Sequence, residues 1–211
     1  MDSMTYDPVH RSIVIVDIEG FCKPSRTNTA RIRMREALYR MFNDGLRRAS
    51  IAESQCTLKD QGDGILALVQ PQVCKCRLIY PLIPHLDAAL EAYNRNVGEE
   101  AQMRLRVAIH AGEVVRHSID HVRDYVGEDL NHAFRLLASR VLRRQLAASD
   151  APLVLIVSQL IYDGVVKHGY PGIDVPSYEQ VRVTAKETKA ASAWISIPHR
   201  AADPKDGMKY P

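Results

Sequence analysis

The order of hydrophobic periodicities along the first half of the chain is the feature that most constrains its fold. An apolar run of strand length at residues 11–16 precedes apolar residues at three- and four-residue spacing over 31–49, which predicts a strand followed by a helix. Residues 56–69 are two β-prone runs broken by Gly-Asp-Gly, residues 80–97 return to helical spacing, and residues 103–117 alternate as a strand does. The predicted order is βαββαβ, which is typical of a ferredoxin-like α+β sandwich with an antiparallel sheet.

The second half of the chain adds further elements to this core. Residues 127–146 have helical spacing throughout, which predicts one long helix. A buried strand is predicted at residues 152–158 and a terminal hairpin at residues 179–197. The core is therefore expected to be extended at its C-terminal side.

The length of the chain fits a single domain. With 211 residues, of which 46% are hydrophobic, it can bury a core of ordinary size. We place that domain at residues 11–197, between a lead-in at residues 1–10 and a polar tail at residues 198–211.

The composition argues against a nucleic-acid or membrane partner. The 28 basic and 25 acidic residues nearly balance, so the formal net charge of +3 creates no general field for nucleic acid or anionic lipid. Three Phe and one Trp are too few for the aromatic platform on which RNA-binding sheets stack bases. The sequence has no signal-peptide pattern, no apolar run near the ~20 residues needed to cross a bilayer, and no zinc-finger spacing among its four cysteines. We expect a cytoplasmic protein.

Two acidic residues mark a candidate metal site. Asp17 ends the first strand in VDIEGF, and Asp63 lies at the tip of the following hairpin. Adjacent strands in a split βαβ sheet would bring these carboxylates together, and Mg²⁺ or Mn²⁺ bound by one or two carboxylates is usual in phosphoryl transfer. The backbone N–H groups of Glu19, Gly20 and Phe21 would then face a triphosphate. The alternative is that each aspartate is an independent turn residue, because Asp-Gly turns are common.

Four segments, VDIEGF, KDQGDGILA, LRVAIHAGEVV and YVGEDLNHAFRLL, occur in an order and spacing that resemble the catalytic domain of class III nucleotide cyclases. The resemblance covers most of residues 11–197. It implies that Asp17 and Asp63 bind two divalent metal ions, Mn²⁺ or Mg²⁺, and that the carbonyl of Ile18 is an additional ligand. It also implies the reaction, which is conversion of a nucleoside triphosphate to a 3′,5′-cyclic nucleotide and pyrophosphate.

The resemblance implies phosphate- and ribose-binding residues as well. Asn131 and Arg135 stand at i and i+4 on the predicted helix, at positions that orient the ribose and stabilise charge on the α-phosphate in the family. Arg106 and Lys186 match positions that hold the β- and γ-phosphates. The alternative for Lys186 is a solvated lysine on a hairpin. Because the family builds its site across two catalytic domains, the resemblance also implies a homodimer with two composite sites.

The base-selecting positions in the family's register are Lys59 and Asp124. They disfavour guanine, but their hydrogen-bonding groups are compatible with adenine, cytosine and uracil. The chain looks most like the stand-alone pyrimidine cyclases of bacterial Pycsar antiphage systems, which implies uridylate first, then cytidylate, and a separate effector activated by the cyclic nucleotide. The alternatives are an adenylate cyclase and a catalytically inactive nucleotide-binding sensor.

Two other features are interpreted as structural. His110 has no partner at metal-ligand spacing, which favours a structural or surface histidine. The arginines of residues 139–146 are expected to form the exposed face of their helix.

Overall fold

The structure is a computed structural model, and it describes residues 7–119, 122–184 and 190–198. Eight strands and six α-helices follow one another along these residues. The strands are β1 (Pro8–Ile18), β2 (Cys56–Asp60), β3 (Gly64–Val69), β4 (Leu105–Ile119), β5 (Val122–Val126), β6 (Leu153–Ser158), β7 (Tyr178–Val183) and β8 (Ala191–Ser196). The α-helices are α1 (Asn28–Arg48), α2 (Cys76–Ile79), α3 (Leu82–Arg95), α4 (Glu128–Leu137), α5 (Arg140–Ala147) and α6 (Gln159–Gly164).

All eight strands join one sheet. Its order is β2-β3-β1-β4-β6-β8-β7, and β5 pairs with β4 outside this path. Every pairing is antiparallel except β4 with β6. The predicted α+β fold with a βαββαβ core and a mainly antiparallel sheet is confirmed, and β6, β7 and β8 extend the core at one edge.

One face of the sheet, which we call the α1 face, is covered by α1 and α3 and is apolar. Side chains alternate between faces along a strand, so Val14, Val16 and Ile18 of β1 share this side with Val107 and Ile109 of β4. All five are at most 1% exposed. The face is thus a closed hydrophobic layer.

The opposite face, which we call the α4 face, is covered by α4 and α5. Ile13 and Ile15 of β1 and Ala108 of β4 belong to its core, together with Leu142 and Leu146 of α5. By the same alternation, residues 17, 106 and 110 also lie on this face. The α4 face therefore combines apolar packing with charged and ionisable side chains.

The single helix predicted over residues 127–146 is wrong, because the segment forms α4 and α5. The break lies at Ser139, whose backbone is extended and therefore leaves the helix. Its Oγ caps α5 by accepting a hydrogen bond from the amide of Leu142 at 3.4 Å. The apolar residues of both helices face the same sheet, so the helical period continues through the break and conceals it.

Several boundaries also differ from expectation. β1 begins at Pro8, inside the segment expected to be a lead-in, and β5 and α6 were not predicted. The terminal hairpin is confirmed by the pairing of β7 with β8. No helix within the three described ranges is long and apolar enough to cross a membrane.

Candidate functional site

Asp17 and Asp63 lie together at one corner of the sheet. Asp17 is opposite Gly64 of β3 and Arg106 of β4 in the antiparallel register. The next amide of β1, that of Ile18, donates a hydrogen bond to the carbonyl of Asp63 at 3.0 Å. This bond ties the hairpin tip to the strand end, and it brings the two aspartates that the sequence singled out close enough for the charge of Asp63 to act on Asp17.

The glycine after Asp63 is needed for this approach. A Cβ at position 64 would lie 2.2 Å from the carbonyl oxygen of Val16, so only glycine lets β3 close on β1 here. The turn itself is held by Asp60, whose carboxylate accepts a hydrogen bond from the amide of Gly62 at 2.8 Å. The glycines of the Gly-Asp-Gly pattern therefore have a local structural cause, since they permit the turn and the close approach of β3 to β1.

Arg106 binds the Asp17 carboxylate, and the exposed Arg143 of α5 acts on it through its charge. Arg106 donates to it through Nε at 3.0 Å and through a second, shorter guanidinium contact. Burial raises the pKa of Asp17 above its usual value, and the Asp63 charge raises it further. Arg106 and the charge of Arg143 on α5 act in the opposite direction. The corner thus holds two acidic groups that repel each other, and the guanidinium groups offset the effects that disfavour the Asp17 charge only in part.

The donor set at this corner suits a hard divalent cation completed by substrate oxygens. Within the described residues, no group of three or more His, Cys, Asp or Glu side chains could hold a metal by itself. Mg²⁺ commonly takes only one or two protein carboxylates and fills its other positions with water and phosphate oxygens. Asp17 and Asp63 are the two carboxylates at this corner, beside the carbonyl of Ile18, which also accepts a hydrogen bond from the amide of Phe21 at 3.3 Å.

At the predicted phosphate cradle in the turn after β1, two of the three amides are hydrogen-bonded within the protein. The amide of Glu19 donates to the carbonyl of Arg104 at 2.8 Å, and that of Phe21 donates to Ile18 at 3.3 Å. The reason is that the turn closes on itself: Gly20, with φ of 63°, reverses the chain so that Phe21 bonds back to the strand end. In this conformation neither amide is free to bind a phosphate.

Lys59 and Asp124 form an ion pair, with Lys59 Nζ 3.7 Å from a carboxylate oxygen of Asp124. Lys59 is in register with Ala108 of β4 through β3 and β1, whereas Asp124 pairs with His117. Nine residues of extended strand separate Ala108 from His117, about 30 Å in a flat sheet. The contact therefore shows that the β4–β5 hairpin curls back towards β2 and brings the two predicted base-selecting residues together.

Asn131 and Arg135 do not join the acidic corner. The helix buries one stripe of residues against the sheet, namely Leu130, Ala133, Leu136 and Leu137. Helical geometry puts Asn131 and Arg135 on the opposite side, where Asn131 is exposed and Arg135 pairs with Glu128 at 2.8 Å. Both side chains point away from the sheet face that carries Asp17.

Lys186 lies outside the described residues. The prediction that the arginines of residues 139–146 form an exposed face is confirmed, since Arg140, Arg143 and Arg144 are all exposed. Sequence reasoning missed that the charge of Arg143 lowers the pKa of Asp17. Helical spacing places Arg143 next to the buried Leu142, but only the packing of α5 across the sheet reveals which polar group it faces. His110 is a buried structural histidine, as predicted, and is hydrogen-bonded on both sides.

A cavity of about 280 Å³ lies elsewhere on the molecule. Gln145 of α5, Glu179 of β7 and Ile195 of β8 are among its lining residues, and none of the predicted site residues is. We therefore assign the candidate site from the chemistry of its side chains rather than from this cavity.

The sequence matches no protein-family model and no curated protein. The fold, in contrast, matches solved cyclase structures over nearly its whole length. The match with the crystal structure of the guanylyl cyclase Cya2 covers 90% of this chain and 92% of that chain, with a TM-score of 0.67 and 17% identity. The match with the adenylyl cyclase CyaB from P. aeruginosa covers 90% of this chain and 96% of the crystallised chain, with a TM-score of 0.59 and 14% identity.

A third match is the guanylate cyclase domain of RhGC from Catenaria anguillulae, solved in complex with GTP. It covers 89% of this chain and 96% of that domain, with a TM-score of 0.57 and 14% identity. The chain therefore has the fold of class III nucleotide cyclase catalytic domains.

Proposed function

We propose that the protein is a nucleotide cyclase that converts a nucleoside triphosphate to a 3′,5′-cyclic nucleotide and pyrophosphate. The observation that carries the proposal is the convergence of Asp17 and Asp63 at one corner of a sheet with the cyclase fold. Acidic pairs with open neighbouring coordination positions are the usual basis of two-metal phosphoryl transfer.

The acidic corner would hold two divalent ions, Mn²⁺ or Mg²⁺, through Asp17, Asp63 and the carbonyl of Ile18. When bound, these ions would activate the ribose 3′-hydroxyl and neutralise charge on the departing pyrophosphate. Arg106 would exchange its bond with Asp17 for phosphate oxygens, because a planar guanidinium binds either partner through the same donors. Lys186 would be a second cation for the β- and γ-phosphates.

The site would be completed by a second copy of the chain. Asn131 and Arg135 point away from the sheet that carries Asp17, so they are available to a neighbouring molecule rather than to their own acidic corner. In a two-fold homodimer, Asn131 of each chain would contact the ribose, and Arg135 the α-phosphate, of the nucleotide bound at the acidic corner of the other chain. The dimer would therefore have two equivalent sites. Arg135 would leave Glu128, an exposed partner whose loss costs little.

For the base, we propose a pyrimidine, with uridylate preferred to cytidylate. The support is the sequence resemblance to stand-alone bacterial pyrimidine cyclases with an antiphage role, in which a separate effector responds to the cyclic nucleotide. The second candidate is an adenylate cyclase. The Lys59–Asp124 pair is equally compatible with it, because the pair offers a donor and an acceptor to N1 and N6 of adenine as readily as to uracil or cytosine.

The test is incubation of the purified protein with ATP, GTP, CTP and UTP separately in the presence of Mn²⁺, with products resolved by chromatography and mass. Cyclic UMP or cyclic CMP is the expected product. Cyclic AMP as the main product would support the second candidate. No cyclic product from any nucleotide, with a folded dimer, would contradict the cyclase and favour a nucleotide-binding sensor.

A further inference from the structure

A chain of hydrogen bonds, buried at Ser158 and His110 and partly exposed at Asp129, links three elements beneath the α4 face. His110 of β4 contacts Ser158 Oγ through Nδ1 at 2.8 Å and Asp129 Oδ1 through Nε2 at 3.1 Å. His110 is 5% exposed and Ser158 is 1% exposed. The chain therefore runs from the start of α6, through the central strand, to the first turn of α4.

The second carboxylate oxygen of Asp129 is also bound. It accepts a hydrogen bond from the amide of Glu113 at 2.7 Å. A Cβ at position 112 would lie 2.1 Å from this carboxylate, so Gly112 leaves the space into which Asp129 docks. Both oxygens of Asp129 thus fasten the helix to the same strand, at adjacent points.

The hydrogen-bond directions are consistent with one protonation state. Ser158 Oγ accepts from the amide of Ile161 at 3.3 Å, which leaves its own hydrogen for Nδ1 of His110. His110 then donates from Nε2 to a charged Asp129. Burial lowers the pKa of His110, which agrees with a neutral ring in this chain.

We propose that Asp129 and His110 are positioning residues for the cyclisation, which hold the first turn of α4 so that Asn131 and Arg135 stand at the correct height and rotation. The inference rests on the proposed function. Asp129 is two residues before Asn131 on the same rigid helix, so a displacement at Asp129 is transmitted directly to the ribose-binding side chain. Small misplacements of such groups cost about a hundredfold in rate.

The network is more specific than packing requires. Leu130, Ala133, Leu136 and Leu137 already bury α4 against the sheet, and apolar contacts alone leave a helix able to slide or rotate by fractions of a turn. Two hydrogen bonds from fixed points of β4 to one carboxylate remove that freedom. The arrangement therefore supplies orientation, which packing supplies poorly.

The test uses the whole 211-residue chain and three variants: Asp129→Ala, Gly112→Ala and the double variant. The first removes the carboxylate, whereas the second keeps it and fills the space in which it docks. We expect each single variant to lower kcat by roughly tenfold to a hundredfold and to change the KM of the nucleotide by less than about threefold. The double variant should be no worse than Asp129→Ala alone, because both changes break the same docking.

Matched controls separate docking from general damage. Gly164→Ala adds a methyl group where nothing lies within 4 Å, and Asp163→Asn alters an exposed aspartate paired with Lys167. Both should keep kcat within about twofold of wild type. Asp129→Asn retains one accepting oxygen, so it should fold and recover part of the lost kcat.

A second readout does not depend on turnover. Hydrogen–deuterium exchange over residues 128–137 should be faster in Asp129→Ala and Gly112→Ala, while exchange in α1 is unchanged. An active wild type with normal kcat in both single variants, or fully additive losses in the double variant, would overturn the positioning role. An inactive wild type would instead contradict the proposed function, and unchanged exchange over residues 128–137 would then overturn the docking as well.

Discussion

The two faces of the sheet are built from the same strands, yet they carry different kinds of residue. On the α1 face, β1 contributes the apolar Val14, Val16 and Ile18, and α1 and α3 cover them; the buried carboxylate on this side, Asp87, belongs to α3 and not to the sheet. On the α4 face, the same strand contributes Ile13 and Ile15 and then ends in Asp17, beside Arg106 of β4. Along β1, one side of the sheet is therefore apolar to its end, whereas the other side ends in a partly buried ion pair.

This difference matters because buried charge is costly. Burial raises the pKa of Asp17, which means that the charged form is disfavoured in the folded protein and must be held by neighbouring cations. Such perturbed groups concentrate at functional sites. The contrast between the faces therefore predicts where substitutions will damage chemistry and where they will damage stability.

The largest expected effect is on the α4 face. Asp17→Asn or Asp63→Asn should reduce cyclisation by at least about a thousandfold, since each removes a charged metal ligand worth several kcal/mol in the transition state. The measurement is the initial rate of cyclic nucleotide formation with Mn²⁺, alongside circular dichroism to verify folding. The matched control is Asp44→Asn on α1, an exposed aspartate paired with Arg47. Near-normal rates in either site variant would refute the metal assignment.

The converse experiment is made on the α1 face. Leu86 of α3 is fully buried, so Leu86→Ala should lower the free energy of unfolding by about 2–5 kcal/mol through lost transfer energy and a residual cavity. Urea denaturation measures this loss, and kcat per folded dimer should stay close to wild type. A large fall in kcat with little loss of stability would break the division between the faces.

A smaller effect is expected at the base-selecting pair. Lys59→Met should lower kcat/KM for the preferred nucleotide by roughly tenfold to a hundredfold and reduce discrimination among the four bases, because a charged hydrogen bond is worth about 1.5–3 kcal/mol. Kinetics with each nucleotide measures both changes. Lys167→Met, at an exposed lysine paired with Asp163, is the control. An unchanged order of preference would remove Lys59 from base recognition.

The smallest expected effect is on the pH dependence of stability. Burial lowers the pKa of His132, helped by His110 and Arg135 and opposed by Asp129 and Glu128, and burial also lowers that of His110, which faces Asp129 and His10. The unfolded chain therefore binds more protons below the ordinary histidine pKa of 6.5, so stability falls as the pH drops through that value.

Thermal unfolding at pH 7.5 and 5.5 measures this loss, which should be smaller in His132→Asn than in wild type. The pH dependence of Asp17 is opposite in sign, because its pKa is raised, but it is common to both proteins and cancels in the comparison. An equal loss in both proteins would show that His132 does not contribute.

Local pattern accounts for most of the fold. Period-two and period-3.6 hydrophobicity predicted β1, α1, the β2–β3 hairpin, α3 and β4, because each is amphipathic or flanked by turn residues. The break between α4 and α5 was not predictable in this way, since Ser139 interrupts the backbone without interrupting the apolar stripe. β5 was missed because it exists only through its pairing with the far end of β4.

The candidate site divides in the same way. Asp17 and Asp63 could be identified because a strand end and a hairpin tip are local features, and the sheet order then brings them together. The closed amides of Glu19 and Phe21, and the approach of Arg143, depend on tertiary packing that no spacing rule contains. Gly112 and Asp129 lie inside two of the four motif segments without being singled out there, and only the structure shows that one makes room for the other.

The central claim is that the acidic corner of one chain works with the outward side of α4 from another. The direct test is co-expression of two differently tagged variants, Asp63→Ala and Asn131→Ala, each expected to be inactive alone. Random assembly makes half of the dimers mixed, and each mixed dimer has one intact site, so the mixture should recover about a quarter of wild-type activity. If each site instead lay within one chain, every site would carry a lesion; an inactive mixture of verified mixed dimers would contradict the account.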